Sequence, residues 1–412
     1  MANTLNFGNG KWGVQDGLAL AYNDENNNFK PLPFDFTRDS IGTYVDRDGL
    51  IKTASNNVPR VDFTDSTDGA LLLEPARSNL YVRSNQFETT WVKGKLSVFN
   101  NNNISPEGNL NGYFLREDTS TGSHDIRQNS TVVSGLQYTY SVFVKKSDVG
   151  QDRNLSFYIA GPNGSISFNT TNGTFFSVGS VDSYSSEDYG DGWWRLQFTD
   201  TSVSTSFNVI AILNNGFSNY TGDGTSGIYI YGAQLEQGSY ATSYIPTSGS
   251  TVTRVADACS GAGNDQVINS TEGVLYCEFN FLGNDLTTKR FGLSDGTQNN
   301  RLHIGTRLGE DNKIQWLLKV SNTTQFSDYF SVPKTTDFVK MAFLFKENDC
   351  KLYVNGTLKQ SSTINTMFSA DILNRLNFNQ GDGTSDFYGN CKDLRVYNTA
   401  LTDAELAKLT TT

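Results

Sequence analysis

Along most of the chain, apolar and polar residues alternate in runs of strand length, and clusters of Gly, Asn and Asp separate one run from the next. Between residues 76 and 248 these runs are Leu136 to Lys145, Asn154 to Ala160, Trp193 to Thr199, Phe207 to Leu213 and Gly227 to Gly232. A period of two sends successive side chains to opposite faces, as in half-buried strands. No helical period intervenes, so an antiparallel sandwich or jelly roll is predicted in place of a parallel sheet with crossover helices. A second series follows in Val274 to Phe281, Arg301 to Gly305, Lys313 to Val320, Phe338 to Lys346, Lys351 to Asn355 and Lys392 to Tyr397. Near the end, Thr402-Asp403-Ala404-Glu405 has the spacing of a capping box, and one short helix is expected to close the chain.

Residues 1–75 lack this rhythm. Gly8, Gly10, Gly13 and Gly17 punctuate the start, Asn26 to Asn28 form a polar tract, and Pro31 and Pro33 interrupt any helix. The expectation is an irregular N-terminal arm that packs on a neighbouring domain, a second subunit or a larger surface. Tyr244 to Ser250 reads as a linker, because Pro246 and the small polar residues stop strand pairing. The predicted fold class is therefore all-β, with an arm (1–75), a jelly roll (76–248), a second antiparallel sandwich (257–412) and one C-terminal helix.

Composition narrows the function. At 412 residues the chain exceeds what one core usually serves. A formal net charge of −11, with no basic cluster beyond Lys145-Lys146, argues against nucleic-acid binding. No apolar run approaches the roughly 18 residues of a membrane span, so no membrane insertion is expected. The start Met1-Ala2-Asn3-Thr4 has no charged-then-apolar leader, which predicts a soluble chain made in the cytoplasm. The four cysteines, Cys259, Cys277, Cys350 and Cys391, show no C-x-x-C spacing. Free buried thiols are expected, with one or two disulfides as the alternative if the protein matures outside a reducing cell.

Two phrases carry a family resemblance. Leu71-Leu72-Leu73-Glu74-Pro75-Ala76-Arg77-Ser78-Asn79-Leu80, and Gly232-Ala233-Gln234-Leu235-Glu236 with Ala241 to Thr247, resemble phage tail-fibre and virion structural proteins, where they bracket a carbohydrate-binding-module-like jelly roll. Residues 273–409 resemble a laminin-G or concanavalin-A-like lectin domain, with Lys351 to Gly356 as a hairpin and Leu394 to Leu401 as the closing strand. The resemblance implies a bacteriophage virion surface protein, either a receptor-binding tail fibre or a capsid decoration component. It further implies a homotrimer that docks to other virion proteins through its N-terminal arm and meets a host-surface glycan or receptor. A purely structural spacer and a polysaccharide depolymerase are the alternatives.

Catalytic groups are sparse. His124 and His303 fall in different predicted domains, and neither a G-x-S-x-G elbow nor a phosphate loop is present. Glycoside hydrolysis needs two carboxyl groups about 5–10 Å apart. The nearest pattern is Glu347-Asn348-Asp349, but Leu352 stands where the third acidic residue belongs, and a hairpin turn is expected there. No enzymatic activity is predicted. The echo Gly222-Asp223-Gly224-Thr225-Ser226 and Gly381-Asp382-Gly383-Thr384-Ser385 suits either a calcium site at Asp223 and Asp382 or a plain Asp-Gly turn. One carboxylate per loop favours the turn, so no cofactor is expected.

For sugar binding, alternation sets Trp193, Arg195 and Gln197 opposite the core-like Trp194, Leu196 and Phe198. Tyr229 and Tyr231 likewise stand opposite Ile228 and Ile230. An aromatic ring beside hydrogen-bonding groups makes these five residues the predicted ligand surface. The alternative for Trp193 is packing against the arm or a neighbouring protomer. Trp316 is expected in a core.

Overall fold

The computed structural model describes residues 4–8, 12–15, 17–21, 34–160 and 164–411; the Asn26 to Asn28 tract, Pro31 and Pro33 lie outside them. Among the described residues the fold is all-β apart from one helix, Asp403–Thr410, and the chain divides into two units. One comprises residues 1–47, 53–75 and 255–412, the other residues 48–52 and 76–254.

Among the described residues, the second unit has two six-stranded antiparallel sheets. The first runs in the order Val92–Gly94, Asp125–Thr131, Ser206–Asn214, Asn154–Ala160, Gly164–Asn169, Thr174–Val178. The other runs Leu96–Ile104, Leu110–Glu117, Gly227–Gln237, Gln137–Lys146, Trp193–Thr201, Ser183–Asp188. Their facing sides bury Leu155, Phe157, Ile159, Leu196, Phe198, Ile228 and Ile230 in one core. Burying such side chains is worth about 1.5–3 kcal/mol each, and this core fixes which residues face outward.

The two motif phrases that bracket this unit meet each other. Arg77–Asn79 pairs with Val252–Arg254, and the Asn79 amide donates to the carbonyls of Ala233 and Ile245. Gln234 accepts from the Ile245 amide at 2.6 Å, and Glu236 accepts from the Thr242 amide at 3.0 Å. The expected linker is thus part of the unit. Tyr244 and Ile245 are each 3% exposed, because their polar neighbours find partners inside it and let the apolar residues bury.

The remaining unit is also a sandwich. Its larger sheet orders Thr357–Ser362, Cys350–Val354, Val339–Lys346, Glu272–Phe281, Gly389–Tyr397, Ala70–Leu73 and Arg60–Asp62, with Thr4–Gly8 also paired to Gly389–Tyr397. Opposite it, Thr323–Ser331, Lys313–Val320, Arg301–Thr306, Arg290–Ser294 and Arg375–Asn377 form a five-stranded sheet. Trp316, Phe343, Phe279 and Phe291 pack between them. The helix covers the outer side of the larger sheet with Leu406, and its capping box between Thr402 and Glu405 forms as the spacing predicts. All four cysteines are buried and free.

Residues 34–75 do not form a separate arm. Ala70–Leu73 is buried at every position, as a strand covered on both faces requires, and Phe34–Thr37 pairs with Ala258–Ser260 while burying Phe34 and Phe36. A buried charge network joins these pieces: Arg60 meets Glu74 and Asp257 at 2.5 Å each, Arg38 meets Asp257 at 3.1 Å, and Asp257 also accepts from the Glu74 amide at 2.7 Å.

Candidate functional site

On the first sheet of the second unit, Leu155, Phe157 and Ile159 point into the core, so Ser156 and Tyr158 point outward. The register places Ser156 between Ser167 and Ile212, and Tyr158 between Ser165 and Ile210. A row of hydrogen bonds crosses three strands: the Asn214 amide donates to Ser156 Oγ at 2.8 Å, and Ser156 Oγ lies 2.8 Å from Ser167 Oγ. Beyond the strand end, Asn214 and Asn215 side chains accept from the Gly216 and Phe217 amides. These Asx turns hold Phe217 out at the rim, where it is 74% exposed. Phe176 stands exposed on another strand of the same sheet.

Together they line an open groove of about 600 Å³, within the range of small-ligand sites. Its lining carries three exposed aromatic rings, several hydroxyls and amides, and, among the described residues, no Asp, Glu, His, Lys or Arg. The rings suit the C–H face of a pyranose and the polar groups suit its hydroxyls. The lining holds no carboxyl pair for glycosidic chemistry.

The residues singled out from sequence stand elsewhere. Trp193, Tyr229 and Tyr231 are brought together on the outer side of the other sheet, but they are 2%, 6% and 1% exposed. A second apolar layer, of Phe114, Phe143, Tyr244 and Ile51, covers that side. The Trp193 indole donates to the Ile104 carbonyl at 2.9 Å. Arg195 donates to the Thr242 carbonyl and lies over the Phe143 ring, and Gln197 donates to Ser185 Oγ. Trp193 is therefore neither an open platform nor a contact to another protomer. Ser156, Tyr158 and Phe217 were missed, although the Asn154 to Ala160 alternation already exposed the first two, and Phe217 sits in a polar Asn-Asn-Gly-Phe-Ser-Asn turn.

Asp223 is held as the turn reading expects. Its Oδ1 accepts from the Thr225 and Ser226 amides, and its Oδ2 accepts from Ser226 Oγ and faces Arg153 at 3.2 Å. Arg153 supplies the positive charge a cation would bring, and it also grips Glu117 through two bonds of 2.7 Å. Asp382 repeats the turn with Thr384 and adds Gln298. Among the described residues no group of three or more His, Cys, Asp or Glu is placed to hold a metal. Glu347 and Asp349 flank Asn348, which takes φ 58° in the turn between Val339–Lys346 and Cys350–Val354.

Burial pushes the pKa of Glu117 up, but Arg153, Tyr220 and the Asp223 amide outweigh it and hold the group below its ordinary 4.5. Asp223 is likewise held well below its usual value, its burial offset by Ser226 and Thr225. Carboxyls with depressed folded pKa values stabilise fully above their unfolded values and lose that contribution as pH falls through the folded ones. Hydrogen exchange in peptides around Glu117 and Arg153 is expected to stay flat from pH 7 to about 5, corrected for intrinsic rates, and to accelerate below about pH 4. In Glu117→Gln that acid dependence should shrink; an unchanged acid limb would contradict the assignment.

Comparison with known proteins bears on the other unit. Residues 279–407 match the laminin G-like model of the concanavalin A-like lectin/glucanases superfamily. This lectin-like unit contains the whole matched range. No curated protein matches the chain. Among solved structures, the CBM40 of an IT-sialidase from Ruminococcus gnavus, bound to alpha2,3 sialyllactose, is 17% identical at a TM-score of 0.30 and covers 37% of this chain and 93% of its own. Domain 4 of an extracellular arabinanase from Geobacillus stearothermophilus, in complex with arabinotriose, is 17% identical at 0.30, covering 42% and 83%. Mouse laminin alpha1 domains LG4-5 are 11% identical at 0.24, covering 66% and 86%.

Proposed function

We propose that the protein is a non-catalytic carbohydrate-binding protein whose groove on the Ser156–Tyr158 sheet face takes a neutral saccharide. The observation that carries this is the uncharged lining, in which exposed Tyr158, Phe176 and Phe217 stand beside the Asn214–Ser156–Ser167 hydrogen-bond row. The match of residues 279–407, in the other unit, to the concanavalin A-like lectin/glucanases superfamily supports the carbohydrate part of this reading.

The test is an array of neutral and acidic oligosaccharides probed with the full chain, followed by calorimetry on the best neutral hit. Each sugar-facing ring contributes about 0.5–1.5 kcal/mol, so the pair Tyr158→Ala and Phe217→Ala is expected to weaken binding about tenfold or more with the melting temperature preserved. Silence towards every neutral glycan, from a folded protein, would end the proposal.

The setting we propose is the surface of a phage particle, where the protein assembles as a homotrimer and meets host glycans. The phrases at Leu71 to Leu80 and Gly232 to Thr247 support it. Light scattering of the purified chain and detection of the protein in purified particles test the two parts separately.

A further inference from the structure

In the lectin-like unit, the five-stranded sheet buries Phe291, Leu293, Leu302, Ile304 and Trp316 on its inner face. Arg290, Arg301, His303 and Gln315 therefore take the outer one. The register aligns Arg290, Gly305, Gln315 and Tyr329 in one row across four strands, and Asn377, Gly292, His303 and Leu317 in the next. Glycine is required at two of these places. A Cβ on Gly305 would stand 2.7 Å from Arg290 Cγ, and one on Gly292 would stand 3.0 Å from His303 Cβ. At both places a Cβ would also run into the backbone, 2.2 Å from the Lys289 carbonyl oxygen at Gly305 and 2.0 Å from the Leu302 carbonyl oxygen at Gly292.

The charges on this face are not balanced as they are elsewhere in the unit. Arg38, Arg60 and Arg395 each meet a carboxylate. Among the described residues, no carboxylate lies within ion-pair distance of Arg290 or Arg301, although Arg301 is only 6% exposed. Arg290 donates to the neutral amides of Gln380 and Gln315, and Arg301 donates to the Gln298 carbonyl and to His303 Nδ1. Because His303 Nδ1 accepts, its proton sits on Nε2, which is buried and makes no close hydrogen bond, with Gln315 beside the ring; Arg290 Nε likewise makes none. Burial and the two neighbouring arginines push the His303 pKa well down, and burial with the charge of Arg301 pushes Arg290 down. Cations and donors left this way are costly, and they lack one thing in common, an anionic acceptor.

We propose that this face binds the carboxylate of an acidic sugar between Arg290 and Arg301, with Gln315 and the Tyr329 ring receiving the remainder of the saccharide. Planar guanidinium groups match a carboxylate at two points. The amide and the ring in the same row supply the contacts that a sugar's hydroxyls and C–H face need. Tyr329 is 39% exposed, with the Arg307 guanidinium 3.9 Å and the Lys313 Nζ 4.6 Å from its ring centroid. Asp382 is the native carboxylate whose charge reaches both arginines. It is exposed and tied to Gln298, and it competes with the ligand. The site lies in a different unit from the neutral groove and takes a different ligand, so the two stand or fall separately.

The test is calorimetry on the full chain with oligogalacturonate and a sialylated trisaccharide, beside a neutral oligosaccharide, a sulfated one and poly-glutamate. A carboxylated sugar is expected to bind and to weaken with added salt. Arg290→Gln should cost about tenfold or more in affinity at an unchanged melting temperature, while Phe217→Ala leaves it alone. Asp382→Asn, which keeps an oxygen to accept from Thr384 at this exposed position, should tighten binding by about threefold to tenfold. Failure of both carboxylated sugars to bind, equal affinity for poly-glutamate or for the sulfated sugar, or indifference to Arg290→Gln and Asp382→Asn would each overturn the proposal.

Discussion

Replacing Asp257 by alanine is expected to destabilise the lectin-like unit by about 3–5 kcal/mol, the range for removing one partner from a buried ion pair. The reason is the company the carboxylate keeps. Its two oxygens serve Arg38, Arg60 and the Glu74 amide, and the side chains of all three charged residues are fully buried or within 2% of it. Alanine would take the shared carboxylate away from two desolvated guanidiniums, Arg38 and Arg60. Their Coulombic repulsion would add to the lost hydrogen bonds. Urea unfolding followed by hydrogen exchange across residues 255–412 measures the effect, with Val92→Ala, half-exposed in the other unit, as the control. A loss under 1 kcal/mol would show that water or a side-chain rearrangement takes over the role.

Trp193→Ala should be nearly as severe in the second unit, about 3–5 kcal/mol for an aromatic side chain removed from a packed interior. The indole fills the layer formed by Phe114, Phe143, Tyr229, Tyr231 and Tyr244, and its N–H is used by the Ile104 carbonyl. The cavity would appear as a lower melting temperature and faster exchange in Gly227–Gln237, while the molecular mass in solution and the affinity for sugar at low temperature stay as in the parent. Weaker sugar binding at an unaltered melting temperature would return Trp193 to the role of an exposed platform.

The contrast between Trp193 and Tyr158 shows how far the sequence could be read. Alternation assigned faces correctly in both strands: Leu196 and Phe198 line one core with Leu155 and Phe157. Alternation does not say what covers the other face. At Trp193 that cover comes from Ile51, Phe114 and Tyr244, residues far away in the chain, so no local pattern announces it. At Tyr158 the cross-strand neighbours are Ser165 and Ile210, and the ring stays exposed.

Strand positions and the closing helix were legible for the same reason, since both depend on short-range periodicity and capping. The fate of residues 34–75 was not, because their partners, Ala258–Ser260 and Gly389–Tyr397, are more than two hundred residues away. The cluster of Arg290, Arg301 and His303 escaped notice too. Searching along the chain for basic runs misses charges that gather only across a sheet.

The pairing of Arg77–Asn79 with Val252–Arg254 has a consequence for how such a protein diversifies. Apart from the short stretch 48–52, the polypeptide enters and leaves the second unit on neighbouring antiparallel strands, while the lectin-like unit is assembled from stretches on both sides of it in the sequence. A module whose two ends emerge side by side can be exchanged as a cassette without re-threading its host, as domain insertions generally require. Recombination at residues 76 and 254, with Ile51 matched to the incoming module, would then exchange the module and leave the remaining sandwich to fold as before.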